Sequence, residues 1–372
     1  MFKRIICAGI AAVIIFGTAI TANAAETGAV GAKAAIVMEV HSGRVLFAQN
    51  EHEQLPIAST TKIMTSLLAL GQNNIHAEFE VDEKSILVEG SSMGLMSGDR
   101  VTLYALAQGM LLSSGNDGAN AAAVHMAGSL PAFADMMNAK AAEIGMKNSS
   151  FVTPSGLDAE GHYSTAYDMA LLTRDALRNT DFAAICGEYR MRARYGNPPY
   201  DRWLLNHNKL LNYYEYAVGV KTGFTRKAGR CLVSAATRDG ITLIAVTLNA
   251  PDDWNIHEYL YEKCFPMLES RDITEGLTLP RIPVAGGAQG HIQVAKYESP
   301  MFPIPTGNAK IEYVIAAPAF LYAPVRRGQS IGYVNVKLDG EVIYTLTLIS
   351  EEDVEMLNPY RERKDLFARL FG

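Results

Sequence analysis

Cysteine is scarce in this chain: four residues in 372, with no CxxC pair and no histidines spaced beside them as metal ligands would be. That scarcity argues against a zinc site. Cys7 lies in an apolar N-terminal run, so Cys186, Cys231 and Cys264 remain for the rest of the chain. Three thiols allow one disulfide and a free cysteine, or three buried thiols. Surplus positive charge is also missing. Lys and Arg number 33 against 39 Asp and Glu, a net charge of −6, and nucleic acid is disfavoured as a partner without a basic footprint. Beyond the N-terminal run no stretch is long and apolar enough to span a bilayer. Internal repeats and low-complexity tracts are absent, which excludes a repeat architecture.

What is present is ordinary globular composition, 49% hydrophobic and 19% charged, in a chain whose length suggests two domains. The first residues carry a different signature. Lys3 and Arg4 precede an almost wholly apolar or small stretch from Ile5 to Thr21, and Ala22-Asn23-Ala24 follows as a small-x-small site. This reads as a secretory signal over residues 1–24, cleaved after Ala24, with export as its consequence. Cys7 stands too early in it to be a lipoprotein attachment site.

Lys33 to Gln49 reads as a hairpin turning at Ser42-Gly43. Thr60 to Leu70 looks like a buried helix, and helical periodicity runs through Leu103 to Met126, Leu130 to Ile144 and Ala166 to Leu177. Thr165 and Asp168 form a capping pattern at the start of the last. Cys231 to Thr237, Arg238-Asp239-Gly240 and Ile241 to Leu248 predict a second hairpin. After about Glu269 prolines crowd in, helical patterns vanish, and short runs such as Ile311–Ile315 and Glu341–Leu346 alternate with glycine turns. The expectation is an α/β domain over 25–270 and a β-rich domain over 271–352. Residues 353–372 end in an amphipathic tail, Tyr360 to Phe371, which could lie on a membrane surface or pack on the β domain.

Three short clusters could carry chemistry: Ser59-Thr60-Thr61-Lys62, Ser114-Gly115-Asn116 and Lys221-Thr222-Gly223. Each alone is weak, and each has a plain structural reading as a helix start, a cap or a strand end. Ser59 falls where a helix should begin, and Lys62 lies one turn on along the same face. A serine hydroxyl needs a base, and lysine can act as one only where its ammonium is destabilised by burial or positive neighbours. Ser114 would relay a proton and Asn116 would hold a substrate amide, unless they merely cap the following helix. Lys221 and Thr222 offer a cation and a hydroxyl to a substrate carboxylate. Gly223 would let an extended peptide pair with the strand, and the Phe224 N–H would join that of Ser59 in an oxyanion hole.

In this order the three clusters resemble the active-site set of penicillin-binding proteins and serine β-lactamases. The stretches IASTTKIMTSLLAL, LLSSGNDGANAAA, SGLDAEGHYSTAYDMA and VGVKTGFTRKAGRCLVSAAT resemble one branch, the low-molecular-mass D-alanyl-D-alanine carboxypeptidases. The resemblance implies an antiparallel sheet with flanking helices and a helical subdomain, followed by a small all-β domain. It implies Ser59 as acyl-ester nucleophile, Lys62 as proton acceptor, Ser114 as third group and Lys221 as a substrate contact. The partners it implies are peptidoglycan stem peptides ending in D-Ala-D-Ala and β-lactams as covalent inhibitors, with no metal or cofactor. It also draws in His162, which either shapes the substrate site or braces its loop.

Two positions depart from the family pattern. Phe224 stands where members often carry histidine, and Asp252-Asp253-Trp254-Asn255 occupies a stretch where many carry an arginine, which leaves the carboxylate clamp incomplete. Rival readings are a transpeptidase or endopeptidase of the same fold, a serine β-lactamase, and a catalytically silent wall-binding scaffold. No glutamate sits in the Glu-x-x-x-Asn setting that a class A β-lactamase would need.

Overall fold

A computed structural model describes residues 28–307 and 309–357. The signal segment expected over residues 1–24 and the tail from residue 358 onward lie outside the described residues. The first domain is organised around a five-stranded antiparallel sheet. Its strands are β1 (Ala34–Glu39) and β2 (Val45–Gln49), then β7 (Ala217–Thr225), β8 (Gly229–Arg238) and β9 (Ile241–Leu248), in the order β2-β1-β9-β8-β7. Strand β7 is therefore an edge, with one row of backbone groups unpaired by the sheet.

Both faces of this sheet are covered, which explains why β1 and β9 read as unbroken apolar runs. Ile36 and Met38 of β1, and Ile244 and Val246 of β9, point into one core. Ala35 and Val37, with Leu243 and Ala245, alternate into the other. The smaller core is closed by α8 (Asp253–Cys264) through Leu260, Tyr261 and Cys264. The larger contains α1 (Lys62–Leu70), α2 (Leu103–Leu111), α3 (Asn116–Ala127), α4 (Leu130–Ile144), α5 (Ala166–Ala176) and α6 (Thr180–Gly187). Among these, α1 is buried on nearly every side and forms the hub. Two short strands, β3 (Phe79–Glu80) and β4 (Arg100–Val101), pair nearby. A hairpin of β5 (Arg190–Gly196) and β6 (Pro199–Leu205), then the short α7 (Leu210–Tyr213), lead into β7.

Local signals account for several boundaries. Thr165 accepts from the Asp168 N–H at 3.0 Å and starts α5, as its capping pattern predicts. The β8–β9 turn has Asp239 and Gly240 at φ 51° and 77°, the left-handed pair of a type I′ hairpin. The apolar periodicity from Leu103 to Met126 is not one helix. It breaks between Leu111 and Asn116, where Ser114 adopts φ 59°. Likewise a 3-10 turn, Ala58–Thr61, precedes α1. Cys186, Cys231 and Cys264 are three buried free thiols.

The second domain is all-β. Strand β10 (Leu268–Asp272) pairs with β13 (Met301–Pro305). The remainder, β11 (Arg281–Ala285), β12 (His291–Lys296), β14 (Ile311–Ala316), β15 (Leu321–Tyr322), β16 (Ser330–Leu338) and β17 (Glu341–Ser350), form a six-stranded sheet ordered β14-β16-β17-β12-β11-β15. Its own core, including Ile282, Ile292, Val334 and Leu346, is separate from the two cores of the first domain.

Candidate active site

The 3-10 turn carrying Ser59 is wedged between strand β7 and the loop before α5. Ala58 sits at φ 49°, a strained setting for a residue with a β-carbon, and presents Ser59 at the tip of the turn. Gly223 makes the wedge possible. A β-carbon there would lie 3.0 Å from the Ile57 carbonyl oxygen and 3.1 Å from the Ser59 nitrogen. Gly156 does the same from the other side, where a β-carbon would lie 2.0 Å from the Ala58 carbonyl oxygen.

Lys62 is fully buried and its Nζ has three partners: Ser59 Oγ at 2.9 Å, Asn116 Oδ1 at 2.7 Å and the Ser155 carbonyl at 2.6 Å. The Asn116 amide is oriented by its Nδ2, which donates to the Glu89 carbonyl at 2.6 Å. Two of the three partners can therefore only accept hydrogen bonds. Burial, then the nearby positive charge of Lys221, holds the Lys62 amine well below the usual lysine range. In its neutral form the amine would keep two hydrogens, which Asn116 Oδ1 and the Ser155 carbonyl can accept, leaving its lone pair toward the Ser59 hydroxyl. That is the geometry of a general base.

Lys221 is also buried, and burial pushes its amine down to about 7. Its Nζ donates to the Thr222 carbonyl at 2.8 Å. Ser114 lies at the α2–α3 break, 4% exposed, in the left-handed conformation that turns the chain into α3. Asp117, one residue beyond Asn116, accepts from the N–H groups of Met93, Gly94 and Leu95 at 2.9–3.0 Å and from Ser92 Oγ at 2.6 Å, fixing the loop opposite Ser59.

A cleft of about 310 Å3 opens at this point. Of the residues expected at the site, it is lined by Ser59, Ser114, Thr222, Gly223 and Phe224. Lys62, Asn116 and Lys221 stand behind that surface. Asn116 has its side chain engaged with Lys62 and the Glu89 carbonyl and does not line the cleft. His162 is not on the wall either. Its Nδ1 accepts from the Val152 and Thr153 N–H groups at 3.0 and 3.3 Å, which leaves Nε2–H to donate to Thr61 Oγ1 at 2.9 Å. Burial lowers its pKa to about 4, so the ring is neutral and ties the loop to the Ser59 turn.

The cleft is also lined by Ser91, His207, Lys209 and Arg230, to which the sequence had assigned no role, and by Asp253 and Trp254 of the stretch that departs from the family's arginine pattern. Arg230 stood within a quoted motif, and a hairpin register across the turn after Thr225 would have placed it beside Phe224. The two are paired in the β7–β8 ladder. The carbonyl of Ser155 has no sequence signal, because any residue can supply it.

Comparison with known proteins identifies the chain's relatives. The family model for D-alanyl-D-alanine carboxypeptidase matches residues 20–252, and that for the penicillin-binding protein 5 C-terminal domain matches residues 275–356. The chain is 32% identical to D-alanyl-D-alanine carboxypeptidase DacF of Bacillus subtilis over 87% of its length and 86% of the relative's. It is 34% identical to D-alanyl-D-alanine carboxypeptidase DacC of Escherichia coli, covering 95% and 92% of the two chains. Penicillin-binding protein 5 from Haemophilus influenzae superposes with a TM-score of 0.66 at 30% identity, over 88% of this chain and 98% of that one. By these matches, over a fold in which Ser59, the buried Lys62 behind it and the β7 edge strand come together, the chain belongs to the serine-type D-alanyl-D-alanine carboxypeptidase family.

Proposed function

We propose that this protein removes the terminal D-alanine from peptidoglycan stem pentapeptides through an acyl-enzyme at Ser59. The observation that carries this reading is the buried Lys62 amine, 2.9 Å from Ser59 Oγ with two carbonyl oxygens taking its hydrogens. Ser59 Oγ attacks the carbonyl carbon of the penultimate D-alanine while its proton passes to the Lys62 lone pair. Negative charge on the carbonyl oxygen is met by the N–H groups of Ser59 and Phe224. Ser114 relays the proton to the nitrogen of the terminal D-alanine as the C–N bond breaks. Water then adds to the ester carbonyl, its proton leaves by the same route, and Ser59 is freed with the shortened peptide as a carboxylic acid. A β-lactam offers its ring amide to the same hydroxyl and remains as an ester.

The test is release of D-alanine from a stem pentapeptide, together with labelling by a fluorescent penicillin, in the wild type and in Ser59→Ala. Release and labelling by the wild type alone are expected. Equal labelling of both proteins would remove Ser59 from its role. Labelling without D-alanine release would favour a transpeptidase or endopeptidase.

The basic, apolar and small-residue pattern of residues 1–24 supports export, with cleavage after Ala24, and the amphipathic pattern from Tyr360 to Phe371 supports a peripheral membrane contact. Both lie outside the described residues. N-terminal sequencing of the secreted protein and vesicle co-sedimentation check them.

A further inference from the structure

A peptide ending in D-alanine carries a free carboxylate, so its selection requires a cation the peptide end can reach. This inference rests on the function proposed above and names the residue that reads that end. Lys221 was the expected cation, but its position argues against the task. It is 1% exposed, is not on the cleft wall, and donates from its Nζ to the Thr222 carbonyl. Its amine, at about 7, also carries only part of a charge at neutral pH.

Two basic side chains do line the cleft, Lys209 and Arg230. Arg230 is the one that is held in place. Its Nε and Nη2 donate to Asp253 Oδ1 at 3.1 and 2.7 Å, and its guanidinium lies 5.5 Å from the centre of the Trp254 ring. Asp253 is itself 2% exposed, whereas the Arg230 side chain is 41% exposed. The buried carboxylate therefore fixes one side of the fork and leaves Nη1 for another acceptor. Arg230 also stands directly across the ladder from Phe224. Side chains at paired positions leave a sheet on the same face, so the guanidinium lies beside the segment of β7 along which an extended peptide would run. Lys209 makes no side-chain hydrogen bond or ion pair among the described residues and would have to be ordered by the substrate itself, at an entropic cost.

We infer that Arg230, aimed by Asp253 and Trp254, binds the C-terminal carboxylate of the substrate and makes the enzyme select a free peptide end. Asp253 is a positioning residue, since it acts only through the guanidinium. The acidic segment after β9, which departs from the family's arginine-bearing pattern, thus supplies the anchor for an arginine on the neighbouring strand.

Acylation rates with benzylpenicillin as the free acid and as its methyl ester read this recognition without requiring peptide turnover. In Arg230→Gln the acid-to-ester rate ratio should fall by about 30-fold, the usual worth of a charge-assisted contact, and in Arg230→Lys by less. The double variant Arg230→Gln with Asp253→Asn removes the orphaned buried carboxylate and should show the same fall, which separates recognition from misfolding. Lys209→Gln should hold the ratio within about 2-fold. An unchanged ratio in both Arg230→Gln proteins, or a collapse in Lys209→Gln, overturns the assignment. Wild-type protein that acylates but releases no D-alanine would refute the carboxypeptidase reading instead, and the acid-to-ester ratio would still decide the role of Arg230.

Discussion

Lys62 and Lys221 have no carboxylate within ion-pair distance among the described residues, and burial is the first cause of the depressed pKa of each. For Lys221 the sign of the linkage is definite. Its folded value, about 7, lies below the ordinary 10.5, so the unfolded chain binds more protons between those limits. Stability should therefore rise with pH from 7 toward 10.5, and the cost of the buried amine is greatest at or below pH 7, on the order of 5 kcal/mol. Lys221→Met should unfold at higher urea than the wild type at pH 7, with the gap closing as pH rises, while penicillin acylation slows. A variant less stable at pH 7 would contradict this. A site that functions by holding two uncompensated amines gives up stability to do so.

At the scale of elements, the Ser59 turn is held by backbone pieces with no chemistry of their own. The loop from Thr153 to Leu157 brings the Ser155 carbonyl to Lys62, and Gly156 at φ 83° lets it pass over the Ala58 carbonyl. Gly156→Ala should cost about 2 kcal/mol or more of stability and slow acylation at least about tenfold, because turn and loop must separate. Thermal unfolding and the acylation rate check this. A variant that acylates like the wild type would show that the Ser155 contact is dispensable. Sequence periodicity located most of these elements, including both hairpins and the helices at 130–144 and 166–176. It ran α2 and α3 together because the Leu111–Ser114 break keeps its apolar side chains buried on both sides. Periodicity records burial, and burial did not change there.

At the scale of the whole molecule, neutral histidines tie distant parts of the first domain together. His162 joins the loop at 152–153 to Thr61, and His257 of α8 bridges Ser234 on β8 to Thr247 on β9. Burial lowers them to about 4 and about 3. Folded values below the ordinary 6.5 mean that stability is lost as pH falls through that window, by roughly 2–3 kcal/mol per histidine between pH 6.5 and 4.5. His41, raised by its hydrogen bond to Glu39, works in the opposite sense and offsets part of the loss. Urea unfolding at pH 7 and pH 4.5 should show a clear drop, reduced in His257→Gln. An equal drop in that variant would place the acid sensitivity elsewhere.

The sequence by itself determined which residues could be nucleophile and base, because Ser59 and Lys62 are one helical turn apart and local geometry alone brings them together. It also determined the edge-strand peptide motif and the change to an all-β second unit, since each is written in short-range pattern. Tertiary structure decided what depends on distant segments meeting. The Ser155 carbonyl and the Asn116 amide take the Lys62 hydrogens, Lys221 is withdrawn from the cleft, and Arg230 is turned toward it by an aspartate on another element. Burial and charge at those positions are properties of the assembled pocket, and no local run of residues encodes them.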